Sequence, residues 1–141
     1  VTEKDIQELT QVRRELEMLV IRLLKTSAKE EEIARLRQFC QQEQATLAQA
    51  PVDHLRLIQL DYELHVTLAE LTGNRFLWET MKRIKTHARR FLVLSGTMHK
   101  YGAAGVREHE EIVHFLEQGK FDYAELAIRD HVIKIGDRIF V

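Results

Sequence analysis

Apolar residues recur at intervals of three and four along almost the whole chain, the period of an α-helix with one buried face. The first such run is Ile6, Leu9, Val12, Leu16, Leu19, Val20 and Leu23, with Thr2 placed to cap its N-terminus. Ser27-Ala28-Lys29-Glu30 has the form of a capping box. It predicts a second helix with Ile33, Leu36, Phe39, Cys40 and Leu47 on one side and a solvated, charged face on the other. Pro51 suits the first turn of a third helix that runs to Thr72. Gly73 fits a C-terminal cap and Asn74 the N-cap of a fourth helix, Arg75 to Ser95. The stripe of that helix is Leu77, Met81, Ile84, Ala88, Phe91 and Leu92. Gly96, Gly102 and Gly105 predict a loop. A fifth helix follows from Val106 to Gln118, stopping at Gly119, and a sixth is capped by Asp122 and runs towards Arg138. There is no strand-like alternation, internal repeat or low-complexity tract. The pattern predicts an all-α fold, an antiparallel bundle of about six helices with short connections.

Four polar residues interrupt these apolar stripes. On the third helix Leu57, Leu60, Leu64, Leu68 and Leu71 define the buried arc. At about 100° per residue, Asp61 falls inside that arc and His65 on its flank, and their spacing of four brings both to one face. His109 takes the first position of a series completed by Ile112, Val113 and Leu116. His131 lies in mid-stripe among Ala124, Ala127, Ile128 and Ile135. A buried carboxylate is costly unless something compensates it, and a metal ion does so directly. Three imidazoles and a carboxylate suit one divalent transition metal, with zinc, nickel, manganese and iron all chemically compatible. Helical spacing alone leaves a second reading at even weight: satisfied core histidines, with Asp61 bonded to Arg13 or to a backbone amide.

Other groupings carry less. His109 to His114 is one residue too long for a zinc-protease HExxH, and its two histidines would stand about 140° apart on the helix. Glu111 and His114 make a single Glu-x-x-His pair, where a di-metal bundle needs two. His54 and His99 are expected in solvent. His87 can face the same interior as Thr80 and Ile84, first as a core residue and second as a contact for a bound small molecule. No phosphate-binding loop, nucleophile elbow or dinucleotide fingerprint occurs.

Composition narrows the setting. The 141 residues fit one domain over 1–141, and 45% hydrophobic with 30% charged residues is ordinary for a soluble protein. No apolar run approaches the roughly 18 residues that span a bilayer, and the N-terminus lacks the layout of a secretory signal, so no membrane partner is expected. Cys40 is the only cysteine, which excludes an intrachain disulfide and suits a cytoplasmic location. A net charge of -1 argues against this segment gripping a phosphate backbone.

The ordered set of short motifs resembles the C-terminal effector-binding (FCD) domain of FadR-type GntR-family transcription regulators. Val12-Arg13-Arg14-Glu15-Leu16-Glu17 looks like the opening Arg-x-x-Leu-Glu helix of that family. Asp61-Tyr62-Glu63-Leu64-His65 looks like its Asp-x-x-x-His, with Leu64 where an aromatic is common. Thr72-Gly73-Asn74 is similar to the turn that follows, Glu108 to Ile112 to the setting of the third ligand, and Gly119 to His131 to the closing segment. No one motif is specific; their order and separations are.

The resemblance implies a sensor, not an enzyme. It assigns Asp61, His65, His109 and His131 as metal ligands and Arg13 as partner of an effector carboxylate; His87, from its place on the fourth helix rather than from the resemblance, is a further candidate effector contact. It implies a homodimer, a small carboxylate or sugar-acid metabolite as effector, and operator DNA bound only through an N-terminal winged helix-turn-helix. The chain starts directly at the effector domain's first helix, so it reads as a segment of a longer regulator. Two rivals stand beside this: a mononuclear metal-dependent enzyme using His87 or Glu111 as general base, and a metal-free helical interaction domain with Asp61 paired to Arg13.

Overall fold

The apolar stripes close into helices in the computed structural model, which describes residues 2–139. In chain order these are α1 (Glu3–Ser27), α2 (Glu30–Ala48), α3 (His54–Leu71), α4 (Arg75–Ser95), α5 (Thr97–Glu117) and α6 (Phe121–Arg138). There is no strand among the described residues. None of the helices is long and apolar enough to cross a membrane. α1 packs chiefly on α6, α3 on α4, and α5 on α6 and α2, while α3 also touches α1, α2 and α5.

Local chemistry sets the helix ends. The Thr2 hydroxyl accepts the Asp5 N–H at 3.1 Å and the Asp5 carboxylate accepts the Thr2 N–H at 2.9 Å, a reciprocal cap for α1. Asn74 Oδ1 accepts the Leu77 N–H at 3.0 Å and starts α4 as expected. At the end of α5, Gly119 takes φ 71°, which lets Lys120 N–H reach the Phe115 carbonyl at 2.9 Å and Gly119 N–H reach the Leu116 carbonyl at 3.1 Å.

Five expectations from the sequence are corrected. α5 begins at Thr97, so Gly102 and Gly105 lie inside a helix and not in a loop. The chain breaks at Gly96 alone, which holds the left-handed φ of 66°. Gly102 is small because α3 is close: a Cβ there would lie 3.2 Å from Leu57 Cδ1. Ser27 closes α1 instead of opening α2, its hydroxyl donating to the Leu23 carbonyl at 2.8 Å. The α2 cap is Lys29, whose N–H donates to the Glu32 carboxylate at 2.9 Å. Pro51 precedes α3, which Asp53 caps by accepting the Arg56 N–H at 3.0 Å. Asp122 lies in the first turn of α6 and not at its cap, because the turn at Gly119 leads into the helix two residues earlier than its side chain suggests. Finally, the buried face of α1 is rotated from its apolar stripe: Val12 is 50% exposed while Arg13 and Glu17 are buried.

The core has three parts. A large apolar cluster joins Leu24 of α1, Leu36 of α2, Leu68 of α3, Leu77 of α4, Leu116 of α5 and Ile128 of α6 with their neighbours. A small one joins Ile58, Leu92 and Ile135. A third group of buried side chains is polar: Arg13, Glu17, Glu43, Asp61, His65, Lys85, His109 and His131.

Candidate metal centre

Asp61 and His65 sit one turn apart on the buried face of α3, opposite His109 on α5 and His131 on α6. All four are buried, and one ligand-type atom from each lies within 4.8 Å of the others. Asp61 Oδ1 is 3.1 Å from His109 Nε2 and 3.3 Å from His65 Nε2. His109 Nε2 is 3.3 Å from His65 Nε2 and 3.2 Å from His131 Nε2. Ligand atoms about 2.1 Å from one ion lie about 3.0 Å apart at right angles and about 3.4 Å apart at a tetrahedral angle. These four separations fall in that interval and the other pairs lie within 4.8 Å, so this oxygen and these nitrogens are compatible with a shared divalent ion. Nitrogen and carboxylate donors together suit the transition metals better than calcium or magnesium.

The outward atoms of the four residues are also occupied. Lys85, fully buried on α4, donates from Nζ to Asp61 Oδ2 at 2.7 Å. His65 Nδ1 meets Glu17 Oε1 of α1. His109 Nδ1 meets Glu43 Oε2 of α2 at 2.8 Å, and His131 Nδ1 meets Glu108 Oε1 of α5 at 2.7 Å. Arg13 Nε donates to Glu17 Oε2 at 2.6 Å, and its Nη2 is buried without a hydrogen-bond partner among the described residues. Arg138 Nη1 donates to Glu108 Oε1 at 3.1 Å.

Electrostatics follow from these contacts. Burial works against an ionised Asp61, but the Lys85 ammonium beside it outweighs that and holds its carboxyl well below the usual range. Burial likewise opposes charge on His109, yet Glu43 on one side of the ring and Asp61 on the other raise its pKa to about 10. His131 goes the other way: burial lowers it to about 3 despite its bond to Glu108. The Glu108 carboxyl is held down to about 2, where its bonds to His131 and Arg138 overcome the opposing effect of burial. Positive charge is therefore favoured between Asp61 and Glu43, inside the cluster of ligand atoms.

Beside the cluster lies a cavity of about 10 Å³, the room taken by one water molecule. Leu57, Leu92, Val106 and Ile135 supply apolar walls, and Thr97, Met98 and Tyr101 from the first turns of α5 cover it.

The four residues expected as ligands thus come together. Arg13 is buried in the surrounding shell, but its bonded partner is Glu17; Asp61 pairs with Lys85 instead. His87 is a correction. It is exposed on α4, because the buried stripe runs Leu77, Met81, Lys85, Ala88 and Leu92, and a residue two after Lys85 points about 200° away. Glu111 and His114 are exposed too, so neither general base named for an enzyme stands at the centre. His99 lies in the first turn of α5 and stacks on His54, with ring centroids 3.8 Å apart. Sequence reasoning missed Glu17, Glu43, Lys85 and Glu108. Glu43 extends the Ile33, Leu36, Cys40 series by three, and Lys85 stands four after Met81, so helical periodicity carried a signal for both.

The model of one family, described as FCD domain, matches residues 8–134. No curated protein matches the chain.

Proposed function

This chain belongs to the FCD family, the C-terminal effector-binding domains of FadR/GntR-type regulators, and on that premise we propose that it senses a small carboxylate metabolite through a divalent metal ion. Asp61, His65, His109 and His131 hold the ion. The observation that carries this reading is the convergence of Asp61 Oδ1 with three imidazole Nε2 atoms, each 3.1–3.3 Å from at least one other. Bound there, the ion supplies a Lewis-acidic seat for a carboxylate oxygen, provided its coordination number exceeds four.

This chain's residues do the rest. The apolar walls beside the ion take the remainder of the metabolite. Arg13, whose Nη2 has no partner among the described residues, lines a separate small cavity that shares Ile135 with this one, and reaches the anion once the effector joins the two. The cavity is small, so the effector displaces the first turns of α5 and shifts the packing of α5 against α3 and α6. Its differential affinity for the two packings sets the size of the response. A homodimer and a DNA-binding domain outside this chain complete the reading. In support of the dimer, the adjoining α1 and α4 expose apolar Val12 and Leu94, α1 with an exposed acid, Glu8, and α4 with exposed bases, Arg83 and Arg90.

Metal content of the purified domain tests the reading, before and after incubation with zinc, nickel and manganese. The expected ratio is near one ion per chain, with acetate or citrate raising the thermal midpoint only in the metal-loaded form. A ratio that stays near zero with all three metals overturns the centre. An equal shift with and without metal overturns the carboxylate seat, and a sample monomeric at every concentration in sedimentation removes the dimer.

A further inference from the structure

Each imidazole at the centre has a second nitrogen, and each of those nitrogens faces a different glutamate. Ligation displaces any Nε2 proton and leaves a neutral imidazole with one N–H, so a ring whose Nδ1 meets a carboxylate keeps its hydrogen there and turns the Nε2 lone pair to the ion. The arrangement occurs three times from three helices: Glu17 of α1 on His65, Glu43 of α2 on His109, and Glu108 of α5 on His131. Glu17 is 1% exposed and Glu43 is 2% exposed. Enclosing two carboxylates is costly and adds no apolar packing, so their presence calls for a specific partner.

We propose that Glu17, Glu43 and Glu108 are positioning residues for the metal centre, each fixing the tautomer and aim of one histidine so that all three Nε2 lone pairs point at a single ion. The proposal rests on the metal reading above. Lys85 performs the matching task on the fourth ligand, engaging Asp61 Oδ2 and leaving Oδ1 turned towards the histidines. A carboxylate behind an imidazole also makes Nε2 a stronger donor, so these residues raise affinity as well as geometry.

The three are not equivalent as probes. Glu17 also holds Arg13, and Glu108 also holds Arg138. Glu43 bonds only to His109 among the described residues, so its removal acts through that ring alone.

Zinc binding by the whole chain, measured by chelator competition, is compared in wild type, Glu43→Ala and Glu43→Gln. Glu43→Ala is expected to weaken zinc by about ten- to a hundredfold. Glu43→Gln still accepts the Nδ1 hydrogen and is expected to lose less. Nitrogen-15 spectra of the zinc-loaded protein read the tautomer directly. Wild type and Glu43→Gln should show Nδ1–H with metal-bound Nε2 at His109, and Glu43→Ala should lose the slowly exchanging Nδ1 proton. Should Glu43→Ala fail to fold, Glu43→Gln and the wild-type spectrum still decide. Zinc affinity of folded Glu43→Ala within twofold of wild type, or Nδ1 as the metal-bound atom of His109 in the wild-type or Glu43→Gln spectrum, overturns the proposal and leaves the metal reading standing. A wild-type chain that takes up no metal overturns both.

Discussion

The two large parts of this core obey different rules. Around Leu24, Leu36, Leu68 and Leu77 the core is built from apolar side chains, and each is stabilised by contact with whatever apolar surface lies nearby. A few turns away, Asp61, Lys85, Glu17, Arg13, Glu43 and three histidines are just as buried, and each is tolerable only because of specific polar neighbours. Losing an apolar side chain leaves a cavity. Losing a member of the polar centre strands a charge as well, and a bound cation can partly replace the one that is lost.

Lys85→Met breaks or upholds that contrast most directly. With chelator present, it leaves the Asp61 carboxylate without its ammonium and should lower unfolding stability by about 3–5 kcal/mol in urea titration. Saturating zinc should recover part of that loss, since Asp61 then faces a cation on its other oxygen. Leu68→Ala, in the apolar part, should cost about 2–5 kcal/mol by leaving a cavity, equally with and without zinc. If zinc treats the two variants alike, the contrast fails.

The contrast also explains what could be read before the structure. Apolar burial follows helical period, so six helices and most of the core were legible, and so was the burial of Asp61, His65, His109 and His131, which interrupt stripes that are otherwise apolar. Arg13 and Glu17 were not legible as buried, because α1 carries apolar residues over a broad arc: Val12 and Leu16 mark a stripe that the fold leaves partly in solvent. Glu108 was invisible for a different reason. It adjoins His109 in sequence but bonds to His131 across the α5–α6 contact, a pairing that only three dimensions create. The glycines misled by type: Gly102 serves close packing inside a helix, whereas Gly96, six residues earlier, does break the chain.

At the surface the rules soften again. Arg37 of α2 donates to Glu117 Oε1 at 2.5 Å and also bonds Glu110, tying α2 to α5 outside the core. Its hydrogen bond with Arg37 is the main cause that lowers the Glu117 carboxyl below its ordinary value. A depressed carboxyl stabilises the fold above its unfolded pKa, about 4.3, and that contribution fades as pH falls through the lower folded value. Arg37→Gln should therefore cost about 1 kcal/mol or less near neutrality. The difference from wild type should shrink below about pH 4 and in high salt. A loss approaching that of Lys85→Met would mean that surface pairs here behave like the buried centre.

The smallest expected effect has the opposite sign and tests the segment covering the centre. Gly105 lies inside α5 without a positive φ, and a Cβ there meets nothing within 4 Å. Gly105→Ala removes unfolded-chain freedom without a clash and should stabilise by up to about 1 kcal/mol. Gly96→Ala forces a side chain into the left-handed region and should destabilise by about 1 kcal/mol. Gly102→Ala should fall between them, since its helix-favouring gain is offset by pushing Leu57 Cδ1 back from 3.2 Å. The order matters because a loop over residues 97–105 predicts something else: Gly105→Ala would be neutral or harmful, and Gly102 would tolerate any small side chain. Thermal midpoints of the three variants separate a helical cover, whose movement must carry α5 with it, from a loop that could open without disturbing His109.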